Sequence, residues 1–213
     1  MNSARAADIV FLSGAPGSGK SHEIHAQLER RKPGRLIVVD PDAEYDEAGV
    51  LHSVLADALK ATAFSTFRTR FRPSHVRSIA EHQFDVLCRA VRWHVDPQAG
   101  QTPPPLRAGV VFVVDELADF VGPSFRDAPE SWQWLIRRGR KYGVSLIAAS
   151  QRPAQIDKTL FDLASTIRTG RLNGLESQRA LAAALGVPIE DVRGLTGHQW
   201  IARDGNSGRV TRG

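Results

Sequence analysis

Cysteine is nearly missing from this chain, Cys88 being the only one among 213 residues. A single thiol makes neither an internal disulfide nor a thiolate metal cluster, so stability has to come from an apolar core, which fits a reducing compartment. Cys88 itself reads as a small apolar residue on a helix face. Long apolar runs are missing too. None approaches the roughly 20 residues that span a bilayer, and the N-terminal residues lack the basic, apolar and small-residue order of a secretory signal. A soluble, cytoplasmic protein is expected. Lysine is scarce, with 5 against 23 arginines, and there are no internal repeats or low-complexity tracts.

What remains is ample for one core. At 42% apolar content the chain is expected to form a single domain over residues 1–213. Its net charge of +5, carried mostly by arginine, suits a polyanionic partner. Guanidinium forks bind phosphate in pairs of hydrogen bonds, which makes nucleic acid the natural candidate, although a GC-rich coding sequence also favours arginine over lysine.

Residues 8–13, DIVFLS, form an apolar run that stops at a glycine-rich turn and reads as a buried strand. A helix over 19–31 follows, ended by Pro33-Gly34, and then a second buried strand over 35–40. Residues 50–61 repeat apolar positions at helical spacing, 63–71 alternate as a strand, and 79–95 are helical again. The stretch 97–109, with Pro103-Pro104-Pro105, is predicted as an exposed loop. Then come a fully apolar strand over 110–114, a helix over 130–142, and a strand over 144–150. A helix near 156–164, a strand near 166–169 and a helix over 175–185 follow. The polar tail from about 187 to 213 is a candidate small hairpin appendage. Strands that are nearly continuous in apolar residues and alternate with helices predict an α/β fold, a mainly parallel central sheet covered on both faces.

The chemistry starts at Gly14-Ala15-Pro16-Gly17-Ser18-Gly19-Lys20-Ser21, a full match to the phosphate-loop spacing. Glycines let backbone N–H groups converge on phosphate oxygens, and the helix that follows presents its positive end. Lys20 would reach the β- and γ-phosphates, and the Ser21 hydroxyl would ligate Mg²⁺. The motif sits directly after an apolar strand and opens a helix, the context it needs. A nucleoside triphosphate, ATP, with Mg²⁺ is therefore the expected ligand. Asp115, at the end of the apolar strand, is the second Mg²⁺ anchor. Glu116 beside it can orient and deprotonate a water, which separates hydrolases from kinases that use an acceptor hydroxyl. The separation of this pair from Lys20 leaves room for a strand inserted between the two.

Residues 137–153, RRGRKYGVSLIAASQRP, resemble the HerA/FtsK superfamily of ring-shaped DNA-pumping ATPases, in which a GRKYG-like turn runs into a strand ending ATQRP. Val39-Asp40-Pro41-Asp42-Ala43-Glu44-Tyr45 is similar to the DPxGEY turn of some members, with Ala43 where glycine is usual. With the phosphate loop and Asp115-Glu116, the resemblance covers residues 8–169. It implies a RecA/ASCE-like P-loop NTPase, a three-layer sandwich, with Gln151 as the sensor of the γ-phosphate or attacking water. It also implies an arginine that reaches the neighbouring subunit's ATP. Arg140 is the first candidate and Arg138 the second, then Arg168 and Arg171. Each also fits a basic helix end that satisfies its own carbonyls.

A chain this short resembles the genome-packaging ATPases of membrane-containing icosahedral viruses. That resemblance implies a homo-oligomeric ring, a hexamer, pumping double-stranded DNA into a preformed capsid, with capsid or inner-membrane vertex proteins as partners. A ring motor grips the phosphate backbone through basic loops. Arg68, Arg70, Arg72 and Arg77 supply the best stretch, with 101–107 and 120–127 as weaker ones; residues 67–77 equally fit an edge strand guarded by arginines. Trp132 and Trp134 read as packing or subunit-contact residues. The rivals are a conjugation, chromosome-mobilisation or filamentous-phage assembly ATPase, a small-metabolite kinase, and a slow nucleotide-dependent switch.

Overall fold

The structure is a computed structural model that describes residues 7–96 and 109–213. Of the proline-rich loop expected over 97–109, residues 97–108, and with them the pore candidate at 101–107, lie outside the described residues. In chain order the elements are β1 (Ile9–Ser13), α1 (Lys20–Arg31), β2 (Arg35–Val39), β3 (Val50–His52), α2 (Leu55–Ala61), β4 (Phe67–Phe71), α3 (Arg77–Val95) and β5 (Val110–Val114). They continue as α4 (Glu130–Arg138), β6 (Val144–Ser150), α5 (Lys158–Leu163), β7 (Thr166–Thr169), α6 (Leu175–Leu185), α7 (Ile189–Arg193), β8 (Ile201–Asp204) and β9 (Val210–Arg212). The strands form one sheet in the order β3-β4-β2-β5-β6-β1-β7-β8-β9. It is a mainly parallel α/β sheet, and β6 is the strand expected between the phosphate-loop strand and the strand that ends at Asp115. All five residues of β1 and of β2 are buried, as continuous apolar runs require when both faces of a sheet are covered.

Among the described residues the chain gathers into two compact units, residues 7–9 with 33–96, 109–113 and 129–146, and Val10–Lys32 with Val114–Ala128 and Ile147–Gly213. In the first unit, β4 pairs in parallel with β2 from Arg35↔Phe67 to Val39↔Phe71, and with β3 from Val50↔Thr69 to His52↔Phe71. The core beside it is aromatic. Phe84 of α3 stacks 6.3 Å from Phe112 of β5 and tilts 5.4 Å from Trp132 of α4; truncating a buried ring of this kind costs about 3–5 kcal/mol. Trp134 packs against Tyr142 at 5.1 Å with the Arg92 guanidinium 4.8 Å above its ring, so both tryptophans are packing residues.

Three elements differ from the sequence reading. Residues 50–61 are not one helix, because Val50–His52 form the short strand β3 and the helix starts only at Leu55. Pairing with β4 satisfies the backbone there and outweighs the local helical spacing, a tertiary effect on a weak propensity. The strand expected over 63–71 begins at Phe67, since 63–66 are exposed. The helix expected over 130–142 stops at Arg138 and tightens into a 3₁₀ turn over Gly139–Tyr142.

Two buried polar clusters brace this unit. Asp40, fully buried after β2, accepts hydrogen bonds from Glu44 N–H (2.9 Å), Tyr45 N–H (3.3 Å) and Arg70 (3.0 Å). The turn that it closes holds Ala43 at φ 58°, which explains why glycine suits this position. Arg35 donates to His94 Nδ1 at 2.9 Å, and both residues are buried. Burial, and secondarily the Arg35 charge, pull the His94 imidazole down from 6.5 to about 4. The folded state therefore keeps His94 neutral where the unfolded chain would protonate it. Its contribution is complete above about pH 6.5 and is lost as pH falls toward 4, amounting to at most about 3 kcal/mol. Urea unfolding at pH 7 and pH 4.5 should show that His94→Asn, which keeps an acceptor for Arg35, flattens this part of the pH dependence.

In the second unit β1 pairs in parallel with β7, from Val10↔Thr166 to Ser13↔Thr169. The tail folds as α7 and a hairpin whose first strand, β8, runs antiparallel beside β7. Helix α1 ends at Lys32, a left-handed residue whose N–H closes on Leu28 O, and Pro33 bars its continuation.

Candidate active site

The second unit contains the whole phosphate loop. β1 delivers the chain into it at Ser13, and α1 begins at Lys20 after Gly19 at φ 92°. Gly14 has φ 152°, and a Cβ there would lie 2.1 Å from Ser18 Oγ, so only glycine fits. Ala15 N–H donates to Arg171 O at 2.7 Å and Gly170 N–H to Ser13 O at 2.8 Å, which straps the loop to the segment after β7. The Arg171 side chain adds a bond to Pro16 O at 3.2 Å. Lys20 Nζ lies 2.7 Å from Gly14 O and 3.5 Å from Ala15 O, poised over the loop. Ser18 Oγ is buried within the loop and has no hydrogen-bond partner among the described residues, and a phosphate oxygen would satisfy it.

Asp115 and Glu116 follow β5. Asp115 is 8% exposed, and its Oδ1 accepts from Glu116 N–H at 3.0 Å. Glu116 adopts the left-handed conformation, φ 52° and ψ 57°, which costs a non-glycine residue about 1–2 kcal/mol and is characteristic of functional sites. Its carboxylate is held from the end of β6. Ser150 Oγ donates to Oε1 at 3.0 Å, and Gln151 N–H lies 3.2 Å from Oε1 and 3.1 Å from Oε2. Arg152 Nε is 3.7 Å from Oε1, while the tip of its guanidinium pairs with Asp119. The structure therefore brings Glu116 and Gln151 together. Gln151 takes part through its backbone, and its side chain is on the surface.

The arginines fall into two groups. Arg168 is ion-paired with Glu23 of α1 and stacked 4.3 Å from the Trp200 ring, while Arg171 braces Pro16 of the phosphate loop, so both are engaged within their own subunit. Arg138 and Arg140 are exposed at the turn that ends α4. Within the basic stretch 67–77, residues 67–71 form β4, which lies between β3 and β2 and so is not an edge strand, residues 72–76 are a loop, and Arg77 opens α3. Arg70 is turned inward and 6% exposed, its guanidinium committed to Asp40, Asp46 at 2.9 Å and Gly49 O, which removes it as a phosphate contact. Arg72 is half-buried. Arg68 and Arg77 are exposed, bonded to Glu47 O and Glu81. Sequence reasoning missed the roles of Ser13, Ser150, Asp119 and Arg152. For Ser150 and Arg152 a signal was present, since they flank Gln151 in the ASQRP segment.

A phosphate loop after a buried strand, an acid pair directly after β5 and the β6 strand between them define a P-loop ATPase of the FtsK/HerA type. The chain belongs to this family. It is 31% identical over 186 residues to protein P9 of Pseudoalteromonas phage PM2, an alignment covering 87% of this chain and 78% of P9. The DNA translocase FtsK of Mycobacterium tuberculosis (strain ATCC 25618 / H37Rv) is 28% identical over 166 residues, 68% of this chain but 19% of FtsK. The genome packaging NTPase B204 of Sulfolobus turreted icosahedral virus 2, in complex with ATP-gammaS, shares the fold with a TM-score of 0.73 at 20% identity. That match covers 98% of this chain and 97% of B204. No protein-family model matches the chain.

Proposed function

We propose that this protein is a ring-forming motor that couples ATP hydrolysis to the movement of double-stranded DNA, and that its task is to package a viral genome into a preformed capsid. The observation that carries the reading is the likeness to P9 together with a fold shared nearly end to end with B204, a genome packaging NTPase. FtsK, a DNA translocase, supports the same class of work.

Mg²⁺ belongs to this chemistry, and the residues fit it. Ser21, in the first turn of α1, and the Asp115 carboxylate are hard oxygen donors, and the buried, unpartnered Ser18 Oγ of the loop has room in its bonding for a phosphate oxygen. When bound, the ion neutralises charge on the phosphate oxygens. Lys20 binds the β- and γ-phosphates. Glu116, held at a fixed angle, accepts a proton from the attacking water and orients it, and the Gln151 side chain senses the γ-phosphate. Arg140 or Arg138, on its exposed turn, reaches the nucleotide of a neighbouring subunit. Arg68, Arg72 and Arg77 are the remaining candidates for contact with DNA phosphates.

Size measurement with and without ATP and DNA, paired with phosphate release, tests the proposal. A nucleotide-dependent rise to a ring of subunits and a turnover stimulated by double-stranded DNA are expected. A protein that stays monomeric and transfers phosphate to a small acceptor instead of water would overturn the reading.

A further inference from the structure

Ser150 is fully buried at the end of β6, between β5 and β1 in the sheet. Three bonds converge on it. Its Oγ donates to Glu116 Oε1 at 3.0 Å, the same Oγ accepts from Arg152 N–H at 3.0 Å, and its carbonyl accepts from Ser13 Oγ at 2.9 Å. A hydroxyl has one proton and two lone pairs. With the Arg152 N–H taking up a lone pair, the proton is directed at Glu116 Oε1. The rotor is thereby fixed by the backbone around it. Ser13 is the residue immediately before Gly14, so the same serine also ties the end of β6 to the entry of the phosphate loop.

We propose that Ser150 is the positioning residue of the hydrolytic site, setting the angle of the Glu116 carboxylate toward the attacking water and locking it to the phosphate loop through Ser13. This rests on the reading of Glu116 as the water-orienting acid. A glutamate on a left-handed turn has three side-chain torsions to fix. The Gln151 N–H bonds both of its oxygens but leaves the carboxylate free to rock about that donor. The Ser150 bond to Oε1 removes this freedom and leaves Oε2 as the face for water. Small displacements matter here, because outer-shell partners of a catalytic group typically carry 10–100-fold in activity.

The test uses the full chain with Ser150→Ala, Ser150→Thr, Glu116→Gln and the Ser150→Ala/Glu116→Gln double variant, measuring ATP affinity and steady-state phosphate release. Ser150→Ala is expected to lower kcat about 10- to 100-fold with ATP affinity unchanged. Ser150→Thr, which keeps the hydroxyl, should restore kcat to within about threefold, on the order of a single misaligned bond. In the Glu116→Gln background the Ser150→Ala change should add nothing, because two residues acting through one group are not additive. A full-rate Ser150→Ala overturns the proposal. So does a loss of ATP affinity parallel to the loss of rate, a threonine variant as slow as alanine, or an additive double variant. Absence of ATP hydrolysis by the unmodified chain would instead refute the reading of the site itself.

Discussion

Glu116→Gln is expected to bind ATP as the unmodified chain does and to hydrolyse it about 10²- to 10⁴-fold more slowly, the range that general-base catalysis supplies. The substitution is informative because it changes so little else. A glutamine Oε1 still accepts from Ser150 Oγ and Gln151 N–H, the two groups that hold the native carboxylate at 3.0–3.2 Å. What is lost is the negative charge, the Oε2 acceptor that Gln151 N–H meets at 3.1 Å, and the ability to take a proton from water. Turnover should therefore fall while binding stays, and a ring that depends on bound ATP should accumulate in its ATP-loaded form. Equilibrium binding of a fluorescent ATP analogue and single-turnover phosphate release separate the two quantities. Unchanged turnover in purified Glu116→Gln would reassign the base.

Lys20→Ala should do the reverse and fail earlier. Lys20 Nζ sits 2.7 Å from Gly14 O at the mouth of the loop, where it is close enough to exchange a carbonyl for phosphate oxygens without moving the helix that carries it. An ammonium in that place forms charge-assisted hydrogen bonds to both terminal phosphates. Losing a preorganised donor of this type costs about 10²–10³ in rate, and here ATP affinity is lost as well because the same contacts act in the ground state. The expected result is weakened ATP binding together with a fall of at least about a hundredfold in kcat/KM. Lys20 is only half-buried, so the apo protein should melt close to the unmodified chain, and ATP should no longer raise its melting temperature. Undiminished ATP binding by Lys20→Ala would remove the loop from the nucleotide site.

The phosphate loop was legible because its chemistry is contiguous. Eight consecutive residues, Gly14 to Ser21, contain the turn, the cation and the hydroxyl, and their spacing alone dictates what they can hold. The strands β1, β2, β5 and β6 were legible for a related reason: a run buried on both faces is apolar at nearly every position, and that pattern survives in one dimension. Val50–His52 was not, since three residues of a strand show no period and only the neighbouring β4 turns them from helix to strand.

The fate of the arginines was equally invisible. Arg70 looks in sequence like its neighbours Arg68 and Arg72, yet Asp40, thirty positions away, draws it inside. Nothing in the local alternation of 67–71 marks which arginine will find a buried carboxylate. The sequence by itself determined that the chain is an α/β phosphate-loop protein with an acid pair after a buried strand, because covalent neighbours form those features. Only the tertiary structure decided that Glu116 is gripped by Ser150 and Gln151, 34 and 35 residues further on, and that Ser13 bonds to the carbonyl of that same serine. These contacts depend on the sheet order β5-β6-β1, and strand order is set by the packing of the whole chain, of which no local pattern of residues holds a record.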